Sequence, residues 1–488
     1  MRFEARSGAT LAAKALAGIL PSAAVLLFRP FGLDSGQAWI LAVLALAVGL
    51  WTSGAADKAA VSVFLLAFFL IFGRTAPASV LRFPLSETFP VIILAFLFSQ
   101  GIAKSGLARR LLLPILNRRA GTSGSLLAAM LLSSVAFIFL IPQPFSRVII
   151  LSGIYAECLD ARGLPGRLRE RLLFALHLFS ALANNLFLRG DLILNPAFLG
   201  FAGLSTGEAE WTARLFVPGL VHLGLALAAF LALARKDLRG GAAAGSVVVG
   251  TVGAPIVEAA PPSRFAGASA APVINAAGSA AAPARFSAAD RRNLALIGLV
   301  LAAWALEGLH GIRGVWIAAA GTAGMFALGL LGPGDVKAVN PGLLVFLTAA
   351  SSIGAVLVCS GTADKIFPPL AALLPEVWSP GLTLGTVGIS MAGHMLLGSN
   401  LTTLSVLAPA FRAVGEGVGS PEAVAFLVFI SVTTQFLLPF HHVILLLGAE
   451  SGRYGRGTVF RFGLALTLIS SAAAVLLYPA WWSLRSLP

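Results

Sequence analysis

The sequence predicts an all-α polytopic membrane protein with about eleven transmembrane helices, two re-entrant hairpins and inverted-topology repeats. Hydrophobic residues make up 58% of the 488 residues and charged residues 11%, with a mean hydropathy of +0.91. This composition excludes an ordinary soluble protein. The apolar residues form long stretches, and a membrane-spanning helix needs about 20 of them. Two stretches have a polar or Pro-rich centre, and they hold the same place in two similar halves of the chain.

The apolar stretches follow the same order on either side of a central segment. After a first helix at 11–28, the first half has spans at 37–52, 59–73 and 88–103, a hairpin at 120–156, and spans at 172–198 and 215–234. The second half has spans at 294–309, 314–332 and 341–361, a hairpin at 377–411, and spans at 423–449 and 458–482. Residues 377–411 contain no Lys, Arg, Asp or Glu. They are too many for one straight helix and too few for two with a loop, which indicates a re-entrant hairpin.

Residues 240–290 separate the two halves. They contain no Leu or Trp, and Ala, Gly, Ser and Pro dominate. Such a segment cannot bury enough apolar surface to offset its ordering entropy, so we expect a flexible cytoplasmic linker. The expected organisation is an N-terminal helix at 1–36 outside the repeat, a first repeat at 37–239 with a cytoplasmic-side hairpin, the linker, and a second repeat at 291–488 with an outside hairpin. Because the halves start from opposite faces, we expect inverted topology.

The net charge of +14 is explained by basic residues in the loops, whose distribution indicates the orientation of the spans in the membrane. Lys and Arg lie in short loops between spans, and a cytoplasmic N-terminus puts most of the 34 on the inside. We therefore expect a multi-pass protein in the lipid bilayer of the bacterial inner (plasma) membrane, with no nucleic-acid partner. A first hairpin that returns to its starting face keeps both basic flanks, 104–119 and 162–171, inside. One long tilted helix is the alternative, which Pro142 and Pro144 would break.

Polar residues interrupt four of these stretches. The hairpin centres are 141–147, Ile-Pro-Gln-Pro-Phe-Ser-Arg, and 398–403, Gly-Ser-Asn-Leu-Thr-Thr. The long span after each hairpin has a polar break, at 184–191 and at 433–442. Non-helical backbone at membrane depth is tolerated only inside protein or beside a wet cavity, so these four segments predict one site at the repeat interface. Inverted repeats around two facing polar tips are typical of an alternating-access transporter.

The predicted site has two kinds of binding group. Helix N-termini offer N–H groups to an anion, and unwound carbonyls suit a hard cation such as sodium. The candidate substrate-binding residues are Gln143, Ser146, Arg147, Asn185, Arg189, Ser399, Asn400, Thr402 and Thr403. The candidate cation-binding residues are Gly398, Ser399, Asn400, Thr433 and Thr434.

This order of features resembles the divalent anion/sodium symporter family of the ion transporter superfamily, which includes sodium/dicarboxylate and sodium/sulfate symporters. The likeness runs from Trp51 onward. Residues 100–110 look like the segment before the family's first hairpin, and the second tip at 399–403 looks like its Ser-Asn-Thr motif. Residues 438–442, Leu-Pro-Phe-His-His, fall where the family usually has a Thr-Pro-Pro-Asn break. The resemblance implies a homodimer, an elevator-type motion, and carriage of di- or tricarboxylates, sulfate or a similar anion with sodium as coupling ion.

The first tip departs from the family pattern. Pro142, Gln143 and Pro144 stand where the first Ser-Asn-Thr belongs, which removes two hydroxyls. Sodium-independent exchange and proton coupling therefore stay open as alternatives to sodium symport. The two histidines of the second break, His441 and His442, could titrate near neutral pH or simply hydrogen-bond in the interior.

Two arginines lie at the same predicted level. An uncompensated charge there is costly, so Arg147 and Arg189 must each face a partner or a cavity. One hypothesis is a fixed structural ion pair between either arginine and Asp191. The other is that an arginine supplies positive charge, which replaces the first sodium or meets the anion with its forked donors. A third possibility is that one arginine lies near a membrane interface.

The sequence does not predict an enzyme, a cofactor or a metal centre. An intramembrane hydrolase would need a nucleophile and base or paired carboxylates, and Asp191 is the only carboxylate in the predicted site. The histidines carry no metal-ligand spacing, and no phosphate-binding Gly-rich loop is followed by Lys. An intramembrane enzyme, a channel and a transport-dead membrane scaffold remain alternatives of lower rank.

Overall fold

The protein is an all-α polytopic membrane protein, as predicted. The structure is a computed structural model that describes residues 16, 18–119, 121–141, 143–240, 287–306, 310–337 and 339–486. No strand occurs among these residues. In this part of the chain, six helical stretches, some made of consecutive helices, are long and apolar enough to cross a membrane: Ser35–Ser53, Thr88–Ser105, Ser123–Leu140, Glu208–Leu238, Pro333–Cys359 and Arg456–Leu484. Four shorter apolar helices are Gly18–Phe28, Lys58–Phe72, Gly314–Ala327 and Pro421–Thr433.

The first half contains a hairpin and an interrupted helix. It follows helix α1 (Gly18–Phe28). Its helices are α2 (Ser35–Ser53), α3 (Lys58–Phe72), α4 (Pro77–Val80), α5 (Thr88–Ser105), α6 (Leu107–Arg119), α7 (Ser123–Leu140), α8 (Pro144–Ala161), α9 (Gly166–Ala183), α10 (Leu194–Ala202) and α11 (Glu208–Gly240). The hairpin is α7 with α8. The interrupted helix is α9 with α10, and a 3-10 turn at Leu188–Gly190 lies between them.

The second half repeats this order. Its helices are α12 (Ala288–Ala305), α13 (Gly314–Ala327), α14 (Pro333–Val336), α15 (Pro341–Cys359), α16 (Ala363–Ala371), α17 (Pro380–Leu397), α18 (Asn400–Gly417), α19 (Pro421–Thr433), α20 (Val443–Glu450) and α21 (Arg456–Leu484). The second hairpin is α17 with α18. The second interrupted helix is α19 with α20, separated by a 3-10 turn at Pro439–His441. Each helix from α2 to α11 thus has its counterpart ten numbers later.

Local sequence explains where the hairpin arms begin and end. Thr122 and Ser125 form a capping box at the start of α7. Pro144 is the first residue of α8, a position where its missing N–H removes no helical bond. Gly398 ends α17 in the left-handed conformation with φ 63°, which a residue without Cβ adopts at little cost. Proline and glycine therefore define the two tips by different means.

The two halves are interleaved, because each of the two large apolar cores draws helices from both. The first core joins α2, α3 and α10 of the first half to α15, α18 and α19 of the second. The second core joins α7, α8 and α9 to α12, α13 and α20. Helix α3 packs along α15, and its counterpart α13 packs along α5. This exchange brings the two interrupted helices and both hairpins into one body of protein.

Large apolar side chains remain on the outside, as a bilayer requires. Helix α3 exposes Val63, Phe64, Leu70, Ile71 and Phe72. Burying such a face in lipid removes it from water, whereas in a soluble protein it would be an unusually large exposed apolar patch.

Every predicted span within the described residues coincides with a helix or an interrupted pair, but four helices were missed: the one-turn helices α4 and α14, and the longer α6 and α16. The basic stretch 104–119, expected as a loop, contains α6, and its counterpart α16 precedes the second hairpin. In α6 the side chains of Leu107, Ala108, Leu112 and Leu116 are buried at helical spacing. The hairpins also end later than predicted, at Ala161 and Gly417. Residues 1–15, Pro142 and most of the predicted linker, 241–286, lie outside the described residues.

Candidate functional site

Four polar segments lie where the hairpins pack on the interrupted helices. We call Ile141 with Gln143 the first tip, 184–193 the first break, 398–399 the second tip and 434–442 the second break. Helices α7 and α8 pack on α9, and α17 and α18 pack on α19. The Nδ2 amide of Asn185 donates to Oγ1 of Thr433 at 2.8 Å. This buried hydrogen bond joins the end of α19 to the first break, so the two halves of the site are in contact.

Arg147 ties the first tip to the first break. Its side chain is fully buried, at 0% exposure. One terminal nitrogen donates to the carbonyl oxygen of Ile141 at 2.8 Å, and the other donates to the carbonyl oxygen of Gly190 at 3.0 Å. The second nitrogen also donates to Oδ1 of Asn184. All three acceptors are neutral oxygens, and they come from three separate positions of the chain.

Asp191 has a different role from the expected ion pair. Its Oδ1 accepts the backbone N–H groups of Ile193 at 3.0 Å and Leu194 at 2.9 Å. These contacts satisfy free donors at the start of α10. Within the described part of the chain, the Asp191 carboxylate forms no ion pair with Arg147 or Arg189. The carboxylate is held by backbone N–H groups, and the guanidinium of Arg147 makes no direct contact with it.

Arg189 is turned away from the first tip toward α12. Its guanidinium lies over the ring of Trp304 at 5.5 Å and donates to the Trp304 carbonyl oxygen at 3.1 Å. Its backbone N–H donates to the carboxylate of Glu208. The two arginines that the sequence placed at one level therefore face different parts of the protein. Arg147 is the one that the structure places inside the candidate site.

Asn195 holds the first break in shape. Its Nδ2 donates to the carbonyl oxygens of Asn184 at 3.0 Å and Phe187 at 3.1 Å. Its own Oδ1 is buried without a hydrogen-bond partner among the described residues. In the first tip, Oε1 of Gln143 accepts the backbone N–H of Ser146 and so caps α8. The hydroxyl of Ser146 is buried and unpartnered in the same part of the structure.

The second tip has a helix N-terminus with no side-chain cap. Ser399 occupies the capping position of α18, but its side chain makes no capping hydrogen bond. Asn400 Oδ1 and Thr402 Oγ1 are buried oxygens without a partner among the described residues, as is Oε1 of Gln435 in the second break. Helix α18 packs closely on α19, which leads into that break. The second tip therefore combines an uncapped helix N-terminus with two buried oxygens, of Asn400 and Thr402, that lack partners among the described residues.

His394 ties the second hairpin to the second break. Its Nε2 lies 2.9 Å from the carbonyl oxygen of His441, and its Nδ1 lies 2.9 Å from Oγ1 of Thr403. Because a carbonyl oxygen can only accept, Nε2 carries the hydrogen. His442 caps α20 through Nδ1, which accepts the N–H of Ile444 at 3.3 Å. His394 and His442 thus hold the second half in the same way that Arg147 and Asp191 hold the first.

The threonines at the end of α19 are hydrogen-bonded to their own helix. The Thr433 hydroxyl donates to the carbonyl oxygen of Phe429, and the Thr434 hydroxyl donates to that of Ile430, both at 2.8 Å. Their oxygen lone pairs remain available as acceptors, and Thr433 uses one for Asn185. Among the described residues, no group of three or more His, Cys, Asp or Glu could hold a metal ion.

Four residues of this arrangement are not among the candidate binding residues predicted from the sequence. Asn184 and Gln435 stand directly beside the predicted Asn185 and Thr434, so their position in the breaks was the available signal. His394 lies nine residues before Thr403 in the hairpin, and Asn195 lies at the start of α10; neither belongs to a motif. Their contacts are made between segments that only the fold brings together.

Comparison with known proteins shows a likeness in structure alone. No family model matches the chain. No curated protein sequence matches it either. Its structure is similar to that of the YdaH transporter of Alcanivorax borkumensis, a crystal structure described as revealing an unusual topology. The TM-score is 0.57 at 17% sequence identity, and the match covers 93% of this chain and 99% of that one. The likeness shows that this chain has the fold of a membrane transporter.

Proposed function

We propose that the protein is a secondary active transporter of small anions, such as di- or tricarboxylates or sulfate-like ions, and that sodium is its coupling ion. The observation that carries the proposal is the second tip, where an uncapped helix N-terminus lies beside unpartnered buried oxygens. The fold, shared with a solved transporter, supports transport in general. The membrane of residence in this proposal is the bacterial plasma membrane.

The anion is assigned to the start of α18. An uncapped helix N-terminus attracts an anion through its free N–H groups and its dipole. The helices α8, α10 and α20 already have side-chain acceptors at their N-termini, from Gln143, Asp191 and His442. Of these four N-termini, α18 is the one left for a ligand. In the proposal, the Ser399 hydroxyl contributes a further hydrogen bond to the anion.

The sodium ion is assigned to the oxygens between α18 and the second break. Asn400 Oδ1, Thr402 Oγ1 and Gln435 Oε1 are acceptors without donors. Leaving a buried polar group unpaired costs about 1–3 kcal/mol, so three together favour binding of a group that satisfies them. Amide, hydroxyl and carbonyl oxygens are among the ligands that hard cations take. The lone pairs of Thr434 and the carbonyl oxygen of Gly398 complete the candidate set.

The proposed motion is of the elevator type, in a homodimer. Arg147 and His394 each bond a hairpin to a break, and Asn185 bonds the two halves to each other. These buried hydrogen bonds favour movement of the hairpins and interrupted helices as one rigid body. The remaining long helices, with their lipid-facing apolar side chains, would form the static part and the dimer contact.

A sodium-independent or proton-coupled carrier of the same fold is the second candidate. The observation that favours it is Arg147, whose guanidinium already bonds three oxygens of the first half. Under this candidate, anion uptake would not respond to a sodium gradient.

Uptake by purified protein in proteoliposomes tests the proposal. Labelled succinate, citrate and sulfate are supplied in turn, with and without an inward sodium gradient. We expect uptake of at least one anion, stimulated by sodium. Asn400→Ala should raise the sodium concentration for half-maximal uptake about tenfold, which corresponds to ~1.4 kcal/mol of lost binding.

A matched control is Ser352→Ala, which removes a buried hydroxyl of α15 that donates to its own helix at Ala349. This variant should transport like wild type. Uptake of no anion under any gradient would contradict the transport proposal, and uptake indifferent to sodium would favour the second candidate.

A further inference from the structure

The first half of the site contains a positive charge in a setting that suits a bound cation. The Arg147 guanidinium is surrounded by the carbonyl oxygens of Ile141 and Gly190 and by Oδ1 of Asn184. Backbone carbonyls and a side-chain amide oxygen are typical ligands of a hard cation in an unwound helix. Arg147 forms no ion pair in the described part of the chain, and the atoms in direct contact with its charge are neutral oxygens, as they would be around a metal ion.

The guanidinium of Arg147 is buried, and protein oxygens occupy its two terminal nitrogens, while its Nε has no partner among the described residues. Arg147 has no exposed surface. Both terminal nitrogens donate to protein oxygens at the tip and the break. An arginine that grips a carboxylate or sulfate directly must present two N–H groups side by side to the ligand. The contacts of Arg147 therefore favour a role as a fixed charge over direct contact with the anion.

The second half shows that the same connection can be made without a permanent charge. Arg147 is the fourth residue of α8, and Thr403 is the fourth residue of its counterpart α18. Arg147 bonds the carbonyl oxygen that ends the first 3-10 turn, at Gly190. In the second half Thr403 bonds His394, which bonds the equivalent carbonyl oxygen, at His441. An imidazole can hold this position while neutral, so holding the hairpin to the break does not require a buried guanidinium.

We infer that Arg147 is the resident cation of the first half, and that it replaces an exchangeable ion at the first tip. This inference rests on the proposed function and adds to it the number of sodium ions that are transported with each anion. The carrier takes up a single sodium ion, at the second tip. A fixed positive charge that no carboxylate contacts directly is costly in the interior, and an arriving anion lowers that cost. The charge thus contributes to anion affinity without an ion bound from solution.

Equilibrium binding of radioactive sodium to purified protein tests the inference. Arg147→Ala leaves the oxygens of Ile141, Asn184 and Gly190 without donors. Sodium should then bind there, so the variant should bind one more sodium ion per protomer than wild type. The Hill coefficient of sodium-dependent uptake should rise from about 1 to about 2, since this coefficient is limited by the number of sites. Millimolar guanidinium chloride, added to the Arg147→Ala variant, should return the Hill coefficient to about 1.

Two further variants separate charge from folding. Arg147→Lys keeps the charge, so it should bind as many sodium ions as wild type even if its uptake is slower. Arg109→Gln removes a bidentate contact to Glu157, which lies in α8 about 15 Å along the helix from Arg147. This control should keep the wild-type sodium count and Hill coefficient. Yield and a single gel-filtration peak are measured for every variant.

The outcomes distinguish the inference from the proposed function. An equal sodium count in wild type and Arg147→Ala would overturn the inference, as would two sodium ions bound by wild type. If Arg147→Ala gives no folded protein, the inference is decided by the number of sodium ions bound per protomer in wild type and in Arg147→Lys. We expect one ion in each. No sodium bound by wild type would instead overturn sodium coupling. Even then, the inference about Arg147 requires that the Arg147→Ala variant bind one sodium ion. If this variant bound none, the inference would be overturned as well.

Discussion

Two glycines show how closely the breaks are packed at the scale of single residues. A Cβ on Gly190 would lie 2.2 Å from the carbonyl oxygen of Asn184. A Cβ on Gly463 of α21 would lie 2.1 Å from the carbonyl oxygen of Phe436 in the second break. In both cases the obstacle is backbone, which cannot swing aside as a side chain can. Both breaks therefore depend on the absence of a single methyl group.

We predict that Gly190→Ala and Gly463→Ala each lower stability by about 1–3 kcal/mol, the usual effect of inserting a methyl group into a packed interior. The reason is that the break must shift away from its neighbour. Thermal unfolding in detergent measures the effect, together with anion uptake. Gly200→Ala is the control, because a Cβ at that position has no neighbour within 4 Å. Wild-type stability in both test variants would show that the breaks can accommodate a methyl group and are packed more loosely than the Cβ distances indicate.

Asp191 allows a second test at this scale. Its carboxylate accepts two backbone N–H groups at the start of α10. We predict that Asp191→Ala lowers the free energy of unfolding by about 0.5–2 kcal/mol through loss of the cap. Asp191→Asn should stay near wild type, because an amide oxygen also caps a helix. Equal loss in both variants would indicate that the charge of Asp191, rather than its hydrogen bonds, is what matters.

At the scale of helices, the interrupted pairs bind the two halves together. Helix α10 packs against α18 of the other half, and α20 packs against α9. The hydrogen bond between Asn185 and Thr433 lies where these exchanged helices meet. Each interrupted helix thus packs against a helix of the opposite half as well as against its own hairpin. A substitution in one break is therefore expected to affect the stability of the other.

We predict that Asn185→Ala and Thr433→Val each lower the free energy of unfolding by about 1 kcal/mol, the net value of one buried hydrogen bond. Because both changes remove the same bond, the double variant should lose at least about 0.5 kcal/mol less than the sum of the two. Unfolding in mixed detergent micelles measures the three values. Strict additivity would mean that the two breaks are not coupled through this bond.

At the scale of the whole molecule, the two hairpins should open to opposite faces of the membrane. The halves have the same order of helices, and the first hairpin has basic flanks that favour the cytoplasm. A hairpin that returns to its starting face leaves both of its ends on one side. The ends of the first hairpin should therefore face inward, and those of the second outward.

Cysteine labelling in intact cells checks this arrangement. Gly121→Cys and Gly166→Cys flank the first hairpin, and a Cβ at either position has no neighbour within 4 Å. Both should react with a membrane-impermeant maleimide only after the membrane is opened. Val377→Cys and Gly417→Cys flank the second hairpin and should react in intact cells. The background carries Cys359→Ser, because Cys359 is exposed in wild type, whereas Cys158 is buried. Labelling of Gly121→Cys and Gly166→Cys from opposite faces would show that α7 and α8 cross the bilayer together.

The sequence by itself determined the fold class, the order of the spans and the places where they are interrupted. These features are local: a bilayer requires about 20 apolar residues per helix, and a polar or proline-rich centre interrupts such a stretch wherever it occurs. Helix α6 was not predicted, because its apolar face is narrow and its charged residues resemble those of a loop. The tertiary structure decided the partners of the polar residues. Arg147 meets oxygens from 141, 184 and 190, whereas Arg189 turns to Trp304 in the other half. Such pairings depend on how helices pack and which way each side chain points, which no spacing in the sequence records.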